Sequence, residues 1–295
     1  MKKRIIATIL IILLFLAGLG IVLYPYVSEY VNAKHASRVV VNYDDAVKEI
    51  TPEDFSQYFE VAEEYNERLR QNPNPFSEDC RTEGYETALN VDGSGMMGYL
   101  EIPKISVKLP FYHGTSGAVL NEAVGHLEGS SLPVGGEGTH VVLSAHRGLP
   151  SAKLFTDLPE LGEGDIFILT VLDRKMTYQV DQILTVLPTE LEALEVEDGQ
   201  DYVTLMTCTP YGINTHRLLV RGHRIENLPE EEVKSIPVVH VERELTTQEK
   251  IQKYIPFAVM GVAVLFLIAL LMPSKKKDEH RSKESGEADD ENKTN

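Results

Sequence analysis

Between Tyr202 and Arg221 the chain reads YVTLMTCTPYGINTHRLLVR. A short apolar run ends in Cys208. A turn with Pro210 and Gly212 follows, and a second apolar run opens with Arg217. Read as strand, turn and strand, this places a thiol at the end of one strand and a guanidinium near the start of the next. A cysteine becomes a useful nucleophile near neutral pH when a base and a positive partner stand beside it. A guanidinium beside a reacting carbonyl would stabilise the developing oxyanion and help to hold substrate. On the second run Arg217, Leu219 and Arg221 share one face, and Leu218 and Val220 share the other, which is core-like.

The base must come from elsewhere, and histidine is the usual choice. THVVLSAH (139–146) alternates, so His140, Val142, Ser144 and His146 share a face, with His146 at the strand end. On residue pattern alone His113, His126, His140, His216 and His223 compete with it. Asp157 and Asp173 are candidate partners for an imidazole, and nothing in the pattern singles out either one. The chain has two cysteines, Cys80 and Cys208. An exported domain would permit a disulfide between them, but Cys80 falls in a charged loop and Cys208 at a strand end. No CxxC or HExxH spacing occurs, so neither a metal nor a cofactor is called for. The net charge of −17 argues against nucleic acid as a partner, because phosphate contacts need Lys and Arg.

The elements around these residues are of three kinds. Ile5–Leu23 is a run of 19 residues without a charge, preceded by Lys2, Lys3 and Arg4 and followed by Tyr24, Pro25 and Tyr26. It is long enough to span a membrane and reads as a retained anchor rather than a cleaved signal. Tyr254–Met272 is a second such run of 19, stopped by Pro273 and followed by Lys275, Lys276 and Lys277. Basic residues outside both runs predict cytoplasmic termini and an exterior middle domain. The polar tail after 272 is expected to be disordered.

Val27–Arg70 reads as two helices. Phe55, Tyr58, Phe59, Ala62, Tyr65 and Leu69 line one face of the second, which Thr51-Pro52 opens and the prolines at 73 and 75 close. Ser77–Gly95 reads as an exposed loop. From Met97 short alternating runs follow: 98–105, taken as an edge strand because of its proline, then 109–114, 139–146, 165–171, 175–188, 202–208 and 216–225. About seven strands with few helices predict an all-β barrel or sandwich.

At this point the residues resemble a known family. TLMTC (204–208), with Arg217 nine residues after Cys208, resembles the signature of sortases, most closely the class C, pilin-assembling sortases of Gram-positive bacteria. THVVLSAHRGLPSAKLF (139–155) resembles the family's histidine segment and selects His146 over His140. The segments GYLEIPKISVKLPFYHGT and GHLEGSSLPVGGEGTH resemble its barrel opening. The resemblance covers residues 55 to 226.

It implies a mainly β fold: a sortase-type closed barrel with short helices, an N-terminal helical and lid segment, and a transmembrane helix at each end. The divisions are an anchor at 1–26, helices and lid loop at 27–96, catalytic barrel at 97–228, linker at 229–253, second span at 254–272 and cytoplasmic tail at 273–295. It implies Cys208 as nucleophile on a Leu-Pro-x-Thr-Gly-like signal, His146 as general acid and base, and Arg217 as the oxyanion or substrate holder. The acceptor would be the lysine amine of a pilin. Asn74-Pro75-Phe76 matches the family's Asp-Pro-aromatic lid, with asparagine in the aspartate position. Three other readings stand beside this one: attachment of proteins to peptidoglycan, plain hydrolysis by a cysteine protease, and a membrane-anchored binding or scaffold protein whose cysteine is structural.

Overall fold

The computed structural model of the chain describes residues 2–77, 83–238, 250, 254–255, 257–262 and 264–265. Cys80, nine of the nineteen residues of the second apolar run (256, 263 and 266–272) and the tail lie outside the described residues. Two compact units divide the chain: Leu23–Glu249, and Met1–Val22 grouped with Lys250–Asn295.

Helix α1, Lys2–Lys48, contains Pro25. Its N-terminal part exposes Ile5, Ile6, Ile9, Leu13, Leu14 and Leu16, and is long and apolar enough to cross a membrane. Further along, Ala36, Val40 and Tyr43 are buried at steps of three and four. Val40 and Tyr43 pack with Met96 and Tyr99 of the barrel. The Tyr43 hydroxyl donates to Met97 O and accepts from Leu172 N, each at 2.9 Å. Helix α2, Pro52–Arg70, is capped as expected: Thr51 Oγ1 accepts from Asp54 N at 3.3 Å. Phe59, Ala62, Tyr65 and Leu69 bury the predicted face against the barrel core.

The barrel has eight strands: β1 (Met96–Ile102), β2 (Val107–His113), β3 (Val124–His126), β4 (Thr139–Ser144), β5 (Ile166–Val171), β6 (Arg174–Val186), β7 (Asp201–Thr209) and β8 (His216–Ile225). They close in the order β1-β2-β3-β4-β7-β8-β6-β5, with β5 returning to β1. The β2–β3 and β4–β7 pairs are parallel, and the rest are antiparallel. Short α-helices, α3 (Gly117–Leu120) and α4 (Glu230–Ser235), accompany it.

Three expectations need correction. β1 is not an edge strand but pairs with both β2 and β5. Its proline, Pro103, stands just past the strand and opens a 3-10 turn, so the ladder needs no N–H from it. The loop after the second helix is not exposed throughout, since Tyr85, Ala88 and Leu89 are buried in the core. The eighth strand, β3, is only three residues long and shows no alternation to read.

Tyr85 also holds a buried histidine. His126 Nε2 faces Ser131 O at 2.8 Å, so that nitrogen donates and Nδ1 accepts from the Tyr85 hydroxyl at 2.9 Å. The site serves a neutral imidazole, and burial pushes the His126 pKa down to about 4. The unfolded chain takes up this proton near pH 6.5, whereas the folded chain refuses it until about pH 4. The stability from this group is therefore complete above pH 6.5 and declines as the pH falls through that window, by at most about 3 kcal/mol. Denaturant midpoints measured at intervals from pH 7 to pH 4 should fall more steeply for the native chain than for His126→Gln.

Candidate active site

β7 lies between β4 and β8, and both registers can be followed to its C-terminal end. Across the β7–β8 ladder Cys208 pairs directly with Arg217, and Met206 with Leu219. On the β4 side the parallel ladder pairs Leu143 with Leu205 and Ser144 with Met206. Beyond the last strand pair, Ala145 N donates to Met206 O at 3.2 Å, and Thr207 Oγ1 donates to Ala145 O at 2.8 Å. Carried two residues past Ser144 and Met206, the register sets His146 alongside Cys208. β6 adds Val186, the partner of Arg217. One row across four neighbouring segments thus reads Val186, Arg217, Cys208, His146. Alternation turns this row to the outside of the barrel, while Thr207, Leu218 and Val220 face inward.

Each of the three residues is half-buried. The Cys208 thiol is free. Arg217 Nη1 donates to His216 O at 3.2 Å and to Asn214 O at 3.4 Å, within its own turn. Among the described residues no carboxylate pairs with it, so its guanidinium keeps donors for another acceptor. Arg221, on the same face of β8, differs. It is tied to Asp181 at 3.1 Å and Glu197 at 3.2 Å, and its guanidinium lies 4.0 Å from the Tyr202 ring centre. Two arginines that looked alike in the sequence are therefore a committed structural one and an available one.

The histidines separate in the same way. His140 shares the outer face with His146, but its Nδ1 donates to Glu195 O and its Nε2 accepts from Thr204 Oγ1, both at 2.8 Å. Burial lowers its pKa and keeps it a neutral structural bridge. His113 faces Gly95 O and Ala88 O through its two ring nitrogens, at 2.8 and 2.9 Å. His216 Nδ1 bonds to Thr215 Oγ1 at 2.9 Å, and His223 lies two strand pairs beyond Arg221's partner, opposite Tyr202. Among the described histidines only His146 falls beside the thiol when the β4–β7 register is continued. Asp157 is engaged with Lys153 at 2.8 Å, so it does not form a triad with an imidazole.

The loop after β4 is bound to the turn after β7. Arg147 Nη1 donates to Thr209 Oγ1 at 3.3 Å and Nε to Thr156 O at 3.4 Å. The Arg147 guanidinium lies 5.7 Å from the Tyr211 ring centre. Gly148, at φ 77°, takes the Tyr211 ring so closely that a methyl there would sit 2.5 Å from it. Nothing in the sequence pattern pointed to Arg147, whose role comes from contacts between distant loops.

An apolar strip continues from the row along the outer face. Val142, Leu194 and Leu219 form its buried part, joined by Leu127, Leu184, Val186, Met206 and Phe76. Met206 and Leu219 have the same strand parity as Cys208 and Arg217, a signal available in the sequence. Phe76 arrives from the loop after α2. Its ring and the Pro75 carbonyl lie against Gly129, where an added methyl would stand 2.9 Å from Phe76 Cδ1 and 2.4 Å from Pro75 O. Asn74 is exposed, and its backbone N–H donates to Asn72 Oδ1 at 3.0 Å.

Comparison with known proteins gives a consistent assignment. A family model described as "Sortase domain" matches residues 100–225. Sortase C1 of Streptococcus agalactiae is 49% identical with a TM-score of 0.61, over 64% of this chain and 99% of that one. A Streptococcus pneumoniae sortase C, described in connection with catalysis and pilin substrate specificity, is 46% identical with a TM-score of 0.59, over 64% and 97%. A Clostridium perfringens sortase C, solved with a C-terminal cell wall sorting motif, is 43% identical with a TM-score of 0.57, over 65% and 100%. The chain spans about half the length of the first curated relative it matches, sortase A of Streptococcus agalactiae serotype III: 47%, at 28% identity over 117 residues.

Proposed function

This chain belongs to the sortase family, with class C sortases among its structural neighbours, and on that premise we propose that it is a membrane-anchored cysteine transpeptidase that polymerises pilin subunits. The observation that carries the reading is the outward-facing row in which Cys208 has Arg217 as its cross-strand partner, with His146 two residues past the end of the neighbouring β4.

Cys208 gives its thiol proton to His146, and its sulfur attacks the threonine carbonyl carbon of a Leu-Pro-x-Thr-Gly-like signal. Arg217 donates hydrogen bonds to the oxyanion that forms. When the intermediate collapses, the carbon–nitrogen bond to glycine breaks, and His146 gives a proton to the leaving amine. A thioester on Cys208 remains and retains the energy needed for transfer. The amine of a pilin lysine then attacks, His146 takes its proton, and an isopeptide bond forms as the thiolate leaves. Attack by a peptidoglycan amine would give wall anchoring, and attack by water would give hydrolysis. The second reading is wall anchoring; the pilin reading is favoured by the lid-like segment and by the similarity to a sortase C described for pilin substrates. The apolar N-terminal helix supports a retained membrane anchor, and the basic residues outside both apolar runs favour a barrel outside the cell with both termini in the cytoplasm.

Asn74-Pro75-Phe76 acts as the lid. Asparagine cannot ion-pair with Arg217 as a carboxylate would, so the lid depends on Phe76 in the apolar strip and on the close seat at Gly129. In a Cys80→Ser background, Phe76→Ala should speed iodoacetamide labelling of Cys208 severalfold, whereas Asn74→Asp should slow it. Equal rates in all three would remove the lid from the account.

Turnover of Leu-Pro-x-Thr-Gly peptides should vanish in Cys208→Ala. It should fall by about 10²–10⁴ in His146→Ala and by about 10²–10³ in Arg217→Ala. Supplying a pilin lysine, a peptidoglycan stem amine or water alone decides the acceptor: isopeptide product with the first supports polymerisation, and product only with the second supports anchoring.

A further inference from the structure

The seam between α1 and the barrel changes character along its length. Near Lys48 it is apolar, with Val40 and Tyr43 buried against Met96 and Tyr99. Towards residue 29 it opens into a cleft of about 230 Å³ bordered by Glu29, Asn32, Lys108, Glu122 and Lys153. Val107, Leu109 and Leu154 line the same cleft, and two polar side chains of α1, one turn apart on the same face, cross it to the barrel. Asn32 Nδ2 donates to Ser151 O at 2.6 Å. The Glu29 carboxylate accepts from Lys153 N. Both contacts fall on backbone atoms, so they constrain the chain path rather than one side-chain rotamer.

That path is the loop that follows His146. Leu154, adjacent to the Glu29 contact, is held at φ 40°, which a leucine adopts only when its surroundings require it. Ala152, Leu154 and Phe155 are buried, which leaves this part of the loop little freedom. From there two connections return to the histidine. Phe155 N donates to His146 O at 3.1 Å, and Thr156 Oγ1 accepts from Gly148 N at 3.1 Å. A hydrogen-bonded route thus runs from α1 through residues 151–156 to the backbone of residues 146–148.

We infer that Glu29 and Asn32 are positioning residues for His146: the helix that leads from the apolar N-terminal segment sets the histidine's height beside Cys208 through the Ser151–Thr156 loop. The idea rests on His146 serving as the general acid and base. The carboxylate-to-amide contact is charge-assisted and is the stronger of the two crossings. Without them the loop stays attached through Phe155, but its far end is released. A small displacement of an acid and base from the reacting atoms is costly in rate and leaves substrate affinity largely intact.

The test uses the full chain in detergent micelles, with Leu-Pro-x-Thr-Gly peptides and an amine acceptor. The double variant Glu29→Ala, Asn32→Ala should lower kcat about tenfold with KM within about twofold, and Glu29→Gln, which keeps an acceptor oxygen, should recover most of that loss. Tyr43→Phe loosens the same helix at its apolar end and should reduce thermal stability while leaving kcat unchanged. Hydrogen exchange at the Phe155 and Thr156 amides should quicken in the double variant but not in Tyr43→Phe. This exchange measurement remains informative if turnover is weak. If kcat is unchanged in the double variant while His146→Ala is inactive, the inference is overturned and the site assignment stands. If His146→Ala is itself active, the assignment fails and the inference with it. A change confined to KM, or equal kcat losses in the double variant and Tyr43→Phe, also overturns the positioning role.

Discussion

The site depends on the register of β7 between its two neighbours. β7 is parallel to β4 and antiparallel to β8, so neither short hairpin geometry nor a single turn sets both pairings. A slip of one residue would turn Cys208 into the barrel and bring Thr207 out. The polar Thr207 hydroxyl guards against this: it is buried and bonded to Ala145 O, one residue before His146. That contact lies one residue from both Cys208 and His146. Closure of the barrel gives the same result from the other side, because β8 is held by nine pairs along β6 and cannot shift independently.

Given that register, the environment separates side chains of the same type. The outer face carries histidines and arginines at alternate positions, and burial divides them. His140 and Arg221 are saturated by Glu195, Thr204, Asp181 and Glu197, and so stiffen the connection between β6 and β7. His146 and Arg217 stand at the open end of the same face. Arg217's bonds there are to backbone carbonyls, which leave its charge unneutralised. A cationic group with no carboxylate partner among the described residues, beside a free thiol, suits a reaction in which negative charge appears on sulfur and then on oxygen.

Much of this was legible in the sequence. Strand parity put His140 with His146, and Arg217 with Arg221, on shared faces, because alternation is a local property. The helix face from Phe59 to Leu69 and the Thr51 cap are local as well. What could not be read is non-local. Which histidine meets the thiol depends on a parallel pairing between segments more than sixty residues apart, and only the family motif pointed to His146 beforehand. β3 has three residues and no pattern. Tyr85 and Leu89 sit in a stretch whose charges suggest exposure, yet they fill a gap in the core next to His126. Pro103 suggested an edge because a proline costs a ladder bond only inside a strand, and the strand's end was not visible. The contacts of Glu29, Asn32 and Arg147 follow no period at all.

The central claim is that acyl transfer passes through a thioester on Cys208. Intact-mass analysis of the full chain, quenched in acid shortly after mixing with a Leu-Pro-x-Thr-Gly peptide, tests it most directly. The account predicts an adduct equal to the peptide without its glycine portion, mapped to Cys208, released by hydroxylamine and absent in Cys208→Ala. An adduct of the whole peptide, an adduct on Cys80, or turnover that persists in Cys208→Ala would contradict it.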